Sequence, residues 1–174
     1  AERLRPLLPP PPQSRGRPRR VDRIITGSPK SRASVQQAFR LRDEQITAIH
    51  DGVDTRVFRP MELARRPNGL LYVGNSDDRN KGARYFLEAI NLLKDEMDFR
   101  LTFVDNFKHN LKLAPRLVDE YGLNSRVLFT GRIPTHDLVG PYNDAKLLVT
   151  SSVPEGFGLP LAEAMSCGTP VVGT

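Results

Sequence analysis

The chain has 174 residues, 39% of them hydrophobic, and a formal net charge of +6; this is enough apolar material for a globular core. The charge is uneven: residues 1–20 hold six arginines against one acid, and residues 21–174 carry 20 basic and 19 acidic side chains, so the body of the chain offers no broad nucleic-acid-binding face. A single cysteine excludes an internal disulfide framework and fits a reducing, cytoplasmic compartment, and no apolar run approaches the roughly 20 residues of a membrane span.

In chain order, "AERLRPLLPPPPQSRGRPRR" (residues 1–20) is rich in proline and arginine and cannot build a packed core, so a disordered segment is expected. A peripheral contact with an anionic surface, such as the inner face of a membrane, is the alternative for its arginines. "VDRIIT" predicts a strand and "PKSRASVQQAFRL" a helix, with Ser28 as N-cap and Pro29 at the first position. "ITAI" predicts a strand closed by the turn "HDGVD". "GLLYV" is a third strand, followed by a polar loop and the helical "KGARYFLEAINLLK", whose Tyr85, Phe86, Ala89, Ile90 and Leu93 are expected on the core face.

"FRLTFV" is a strand, "LAPRLVDEYG" a helix ending at Gly122, and "RVLFT" a strand. "THDLVGPYND" predicts a short helix capped by Thr135; "KLLVT" and "PVVG" are strands flanking "SSVPEGFGLPLAEAMSCGT". Strands alternating with helices mean βαβ units and a doubly wound, mostly parallel α/β sheet. The short strands are apolar throughout, as expected when both faces are covered. A sheet of this kind ordinarily continues with a helix after "PVVG", so the chain is read as a truncated piece of a larger protein.

Three stretches can carry chemistry. In "EGFGLPLAEAMSCGTPVV" (residues 155–172), Gly156 and Gly158 permit a tight turn and Pro160 suits the first turn of a helix. Free amides then gather at a positive helix end, which favours an anion. Glu163 is expected in that helix's first turn, among apolar neighbours, where an ionised carboxylate needs hydrogen-bond donors. A sugar diol supplies two, and Glu155 in the loop can accept from a second sugar. A ligand with hydroxyls at both ends and phosphate between them, a nucleoside diphosphate sugar, satisfies both acids. Against this stands the ordinary role of acids at a helix N-terminus.

In "YVGNSDDRNKGARYF" (residues 72–86), a strand ends at Gly74 and Lys81 stands where a helix begins, opposing its dipole. Pairing with Asp77 or Asp78, or a bound diphosphate, would account for it; the spacing is neither a P-loop nor a dinucleotide fingerprint. In "AIHDGVDTRVFRP" (residues 48–60), Gly52 turns the chain out of a strand and Pro60 marks a boundary, as in a hinge. His50, His109 and His136 are scattered without metal-ligand spacing, so no metal or other cofactor is expected. Cys167, in apolar surroundings, is expected to pack in the core.

Together these stretches resemble the C-terminal lobe of family-four retaining glycosyltransferases of the GT-B fold, from about residue 21 to 174. "EGFGLPLAEAMSCGTPVV" is similar to the family's glutamate-pair motif, "YVGNSDDRNKG" to its diphosphate loop and "IHDGVDTRVFRP" to its interdomain segment. The resemblance implies transfer of a sugar from a nucleotide diphosphate donor to an acceptor (glycan, lipid or small molecule), with retained configuration. It implies catalytic roles for Glu155, beside the donor sugar, and Lys81, on the diphosphate. Donor contacts would come from Gly74, Asn75, Lys81, the amides of Phe157, Gly158 and Leu159, and Glu163, which would hold the ribose hydroxyls.

The chain departs from the family at Asn75, where an arginine is usual. The matching organisation is a disordered segment over 1–20, the end of an N-terminal lobe with the interdomain segment over 21–60, and a partial donor lobe over 61–174. A non-catalytic nucleotide-sugar-binding module is the alternative, favoured by Asn75. A nucleic-acid binder resting on residues 1–20 is the remaining one.

Overall fold

The structure, a computed structural model, describes residues 22–105, 113–153 and 156–174. The expectations for residues 1–20, His109 and Glu155 lie outside the described residues. The chain divides into two packing units between Asp51 and Gly52.

The first unit is one βαβ turn. Strands β1 (Ile24–Thr26) and β2 (Ile46–Ala48) pair in parallel, joined through helix α1 (Pro29–Phe39). Ser28 caps α1 as its sequence indicates: the side-chain oxygen accepts from the Ser31 amide at 3.1 Å, and Pro29 follows. The helix ends at Arg40 in the left-handed conformation, φ 52°. Arg32 ties it back to the sheet, donating from Nε to the Ile46 carbonyl at 3.1 Å and pairing with Asp43 at 2.7 Å.

The second unit holds a five-stranded parallel sheet in the order β5-β4-β3-β6-β7. Its strands are β3 (Gly69–Val73), β4 (Arg100–Val104), β5 (Val127–Phe129), β6 (Leu147–Thr150) and β7 (Val171–Gly173). The helices are α2 (Ala83–Leu93), α3 (Leu113–Glu120), α4 (Val139–Asp144) and α5 (Leu159–Ser166). Alternation along β3 sends Leu70 and Tyr72 into one core and Leu71 into another. The first core joins them to Phe86, Leu87 and Ile90 of α2, Leu117 and Val118 of α3, and Leu101 and Phe103 of β4. Tyr72 stacks there between Phe86 and Phe103, with ring centroids 5.3 and 4.4 Å away. The second core sets Leu71 and Leu148 against Tyr142 of α4, Ala164 of α5, Cys167 and Phe58. Both faces of the sheet are therefore covered: the fold is doubly wound, as the alternation of elements indicates.

Several local expectations are corrected. Thr135 is not a cap but the first residue of a 3-10 turn, Thr135–Leu138; Pro134 occupies the cap position and offers no side-chain acceptor. The core face of α2 is Ala83, Phe86, Leu87 and Ile90, spaced i, i+3, i+4, i+7; Tyr85, Ala89 and Leu93 are exposed. Lys81 does not begin α2. It ends a separate 3-10 turn, Arg79–Lys81, and Gly82 takes the cap position. Helix α5 starts at Leu159, so Glu163 falls in its second turn; Leu159 and Met165 are exposed.

Candidate functional site

From β3 the chain proceeds to β4 and β5 on one side, then crosses back to β6 and β7 on the other. The order reverses between β3 and β6, and a crevice at the carboxyl ends of such strands is where open α/β sheets bind ligands. The loop after β3 carries Gly74, Asn75 and Lys81; the loop after β6 leads to Phe157, Gly158 and Leu159.

Hydrogen bonds join these two loops. Ser151 donates its hydroxyl to the Gly82 carbonyl at 2.7 Å, and the Val153 amide donates to the Asn80 carbonyl at 2.9 Å. Tyr72 reaches up from the sheet to donate to the Lys81 carbonyl at 2.9 Å. Gly82 allows the approach: its φ is +63°, and a Cβ there would stand 1.9 Å from the Ser151 carbonyl oxygen.

The β3 loop is also braced internally. The Asp77 amide donates to Asn75 Oδ1 at 3.0 Å and the Asn80 amide to Asp78 Oδ1 at 2.9 Å. The Ser76 amide donates to Asp105 Oδ2 at 3.0 Å, from the end of β4. Asp105 is 2% exposed, and its Oδ1, like the Ser76 hydroxyl, is buried without a hydrogen-bond partner. The Gly74 amide is engaged with the Val104 carbonyl at 3.0 Å, so Gly74 continues the ladder.

At the start of α5, Gly158 takes φ +87° and is buried. The Leu161 amide is engaged with the Gly158 carbonyl at 2.9 Å and Pro160 has no N–H, so the amides of Gly158 and Leu159 are the first-turn donors with no acceptor in the helix. One turn on, Glu163 is buried, and Tyr142 donates its hydroxyl to Glu163 Oε2 at 2.7 Å. Burial pushes the Glu163 carboxyl above its ordinary value, and the Tyr142 hydrogen bond pulls it partly back. Burial, then the bond to the carboxylate, drives the Tyr142 hydroxyl far above the ordinary phenol range. Cys167 is fully buried and burial raises its thiol, so the expected core packing holds.

The segment read as a hinge has a definite structural role in the second unit. Asp54 closes a turn, accepting from the Arg56 amide and side chain, and those bonds hold its carboxyl down to about 2. The turn delivers Phe58, 5% exposed, edge-on against Tyr142 with centroids 5.9 Å apart at 66°. Ser166 of α5 donates to the Phe58 carbonyl at 2.6 Å, and Asn143 of α4 bonds the Met61 amide at 2.8 Å and the Arg59 carbonyl at 3.1 Å. Arg65 donates to the carbonyls of Ala145 and Cys167, at the carboxyl ends of α4 and α5.

Thus the structure brings the β3 loop carrying Asn75 and Lys81 against the start of the β6 loop. Gly158 and Leu159 follow on that loop, while Glu155 lies outside the described residues.

 Sequence reasoning missed Tyr142 and Asp105. Nothing local marks Tyr142, which meets Glu163 across 21 positions of sequence. Asp105 did leave a signal, an acid directly after the apolar strand "RLTFV", at the end of the sheet where ligands bind.

The profile described as "Glycosyl transferases group 1" matches residues 67–174, which is more than half of the chain. The chain belongs to this glycosyltransferase family. The MMP alpha-(1->4)-mannosyltransferase of Mycolicibacterium hassiacum is 30% identical over 156 residues, covering 90% of this chain and 38% of the relative. Among solved structures, the sucrose-phosphate synthase of Thermosynechococcus elongatus superposes with a TM-score of 0.74 at 29% identity, over 86% of this chain and 39% of that one. The C-terminal domain of the group 1 glycosyl transferase LpcC from Francisella tularensis superposes with a TM-score of 0.60 at 28% identity, over 70% of each chain. This group 1 glycosyltransferase chain therefore has the Rossmann-like, doubly wound fold of a GT-B lobe, and it spans about two-fifths of the length of the mannosyltransferase.

Proposed function

We propose that this chain is the donor-binding part of a retaining glycosyltransferase that moves a sugar from a nucleoside diphosphate to an acceptor. The observation that carries the reading is the junction of the β3 and β6 loops at the switch point of a group 1 glycosyltransferase fold. The leaving group is a nucleoside diphosphate, whose developing charge needs stabilising. Lys81 and the amides of Phe157, Gly158 and Leu159 supply that stabilisation, with Gly74 and Asn75 lining the β3 loop beside the diphosphate. Glu163 accepts from the ribose hydroxyls, and Glu155 orients the donor sugar. Residues 61–174 form the donor lobe, and residues 21–60 supply the end of an acceptor lobe and the segment between them. The mannosyltransferase name of the relative makes a hexose the first donor sugar to test.

No helix among the described residues is long and apolar enough to cross a membrane. The proposed setting is the cytoplasm, with residues 1–20 available for a peripheral contact at an anionic surface.

The test is to incubate the full-length protein with a panel of purine and pyrimidine nucleotide hexoses and to follow nucleoside diphosphate release. Release from at least one donor is expected, with proton NMR of the product showing the anomeric configuration of the donor. Asn75, in place of a cation, favours a second reading, a module that binds nucleotide sugars without turning them over. Saturable binding with no release, across the donor panel and a range of acceptors, would select that reading.

A further inference from the structure

We propose that Tyr142 is a positioning residue for Glu163, holding its carboxylate in one orientation toward the ribose of the nucleotide. This inference rests on the proposed ribose contact of Glu163. The geometry gives Tyr142 little else to do with its hydroxyl. The ring is fully buried, and the hydroxyl hydrogen goes to Glu163 Oε2 at 2.7 Å. The donor is held from two sides: Phe58 packs edge-on against the ring, and Thr169 donates its hydroxyl to the Tyr142 carbonyl. Glu163 comes from α5 and Tyr142 from α4, so the bond fixes the carboxylate from outside its own helix. With Oε2 engaged, Oε1 is left to accept from a ligand.

The same bond works against burial in the titration of Glu163. Burial favours the protonated carboxyl, and the Tyr142 hydrogen bond favours the carboxylate. Cys167, the residue that caps the end of α5, interacts electrostatically with Glu163, and Arg65 acts on Cys167 and donates to its carbonyl; α4, packed against α5, also carries Asp144, which pairs with Arg66. Strands β6 and β7, which also pack against α5, bring no ionisable side chain. Removing the Tyr142 hydroxyl leaves burial unopposed, so Glu163 takes up a proton at higher pH. A protonated Glu163 accepts less well from the ribose, and nucleotide affinity then falls off at a higher pH than in the wild type.

The experiment is calorimetric titration of the full-length protein with UDP and GDP, and with the 2′,3′-dideoxy form of whichever binds, across pH 5 to 8. Tyr142→Phe is expected to weaken ribonucleotide binding about tenfold at pH 7 and to move the acid limb of the affinity profile upward. A purely structural loss would lower affinity at every pH without moving that limb, and this outcome would overturn the proposal. Unchanged affinity and profile would overturn it too. Replacing Tyr142 with a ring-fluorinated tyrosine, a stronger donor of nearly the same shape, gives a second reading if the phenylalanine variant unfolds. It is expected to move the limb downward, and no movement refutes the positioning role. Glu163→Ala is the separate control on the underlying reading: it should abolish the preference for ribose over dideoxyribose. If that preference survives in Glu163→Ala, the ribose contact itself is wrong, whatever Tyr142 does.

Discussion

Asn75 shows how one side chain can serve the loop at the expense of the ligand. Its Oδ1 accepts from the Asp77 amide at 3.0 Å and so builds the first turn after β3. An arginine there would give up that bond, a loss of about 1 kcal/mol, and would bring a guanidinium to the proposed diphosphate, a gain of about 1.5–3 kcal/mol. Asn75→Arg is therefore expected to tighten donor binding by about twofold to thirtyfold in titration calorimetry. Unchanged or weaker binding would show that another cation, with Arg79 the nearest candidate in the loop, already fills the place. Lys81→Ala is expected to weaken the same titration by at least about tenfold, because a charge-assisted contact is lost. An affinity within twofold of wild type would remove Lys81 from the site.

Two glycines separate the demands of conformation from those of contact at the level of elements. Gly82 and Gly131 both have positive φ, +63° and +70°, but a Cβ on Gly82 would stand 1.9 Å from the Ser151 carbonyl oxygen, while one on Gly131 would meet nothing within 4 Å. Gly131→Ala is expected to cost only the left-handed strain, about 1–2 kcal/mol. Gly82→Ala adds a collision between backbone segments, so a loss of about 3 kcal/mol or more is expected in urea unfolding, together with weaker nucleotide binding. Equal costs would mean that the two loops move apart freely and are not a fixed junction.

Elements of this kind were legible to different degrees. Strand β3 spans the residues its sequence predicts, because "GLLYV" is apolar enough for both faces and bounded by Asn68 and Gly74. Helix α2 was legible in extent but not in face: Tyr85 and Phe86 are both aromatic, and only packing beneath β3 selects Phe86. The acid at Glu163 was legible as an oddity in an apolar helix. Its partner was not, since the Tyr142 contact depends on how α4 and α5 pack. The stretch 48–60 reads as a hinge on the strength of Gly52 and Pro60. Its attachments in the second unit, from the Phe58 carbonyl to Ser166 and from the Arg59 carbonyl to Asn143, are long-range hydrogen bonds that no local pattern encodes.

At the scale of the whole molecule, the two units differ in how much they can bury. The unit from Gly52 onward has two apolar cores, one on each face of its sheet. The unit ending at Asp51 pairs two three-residue strands with one helix; α1 has no buried residue, and Ile25, Phe39 and Ile49 are 66%, 45% and 54% exposed. In the proposed transferase the acceptor meets the donor where two lobes face each other, and aligning the reactants there can lower the barrier by roughly 7–11 kcal/mol. Closure also excludes water, which otherwise competes for each hydrogen bond to the donor. Residues 1–174 offer the proposed donor loops, and the described residues of their first unit form one βαβ turn. Purified residues 1–174 are therefore expected to bind a nucleoside diphosphate weakly, with a gain in thermal stability at millimolar ligand, and to transfer no sugar to any acceptor. Ligand-dependent stabilisation without product in mass spectrometry is the expected pair of results. Robust transfer by this stretch alone would refute the two-lobe proposal, and absence of any stabilisation by nucleotide would count against the donor site.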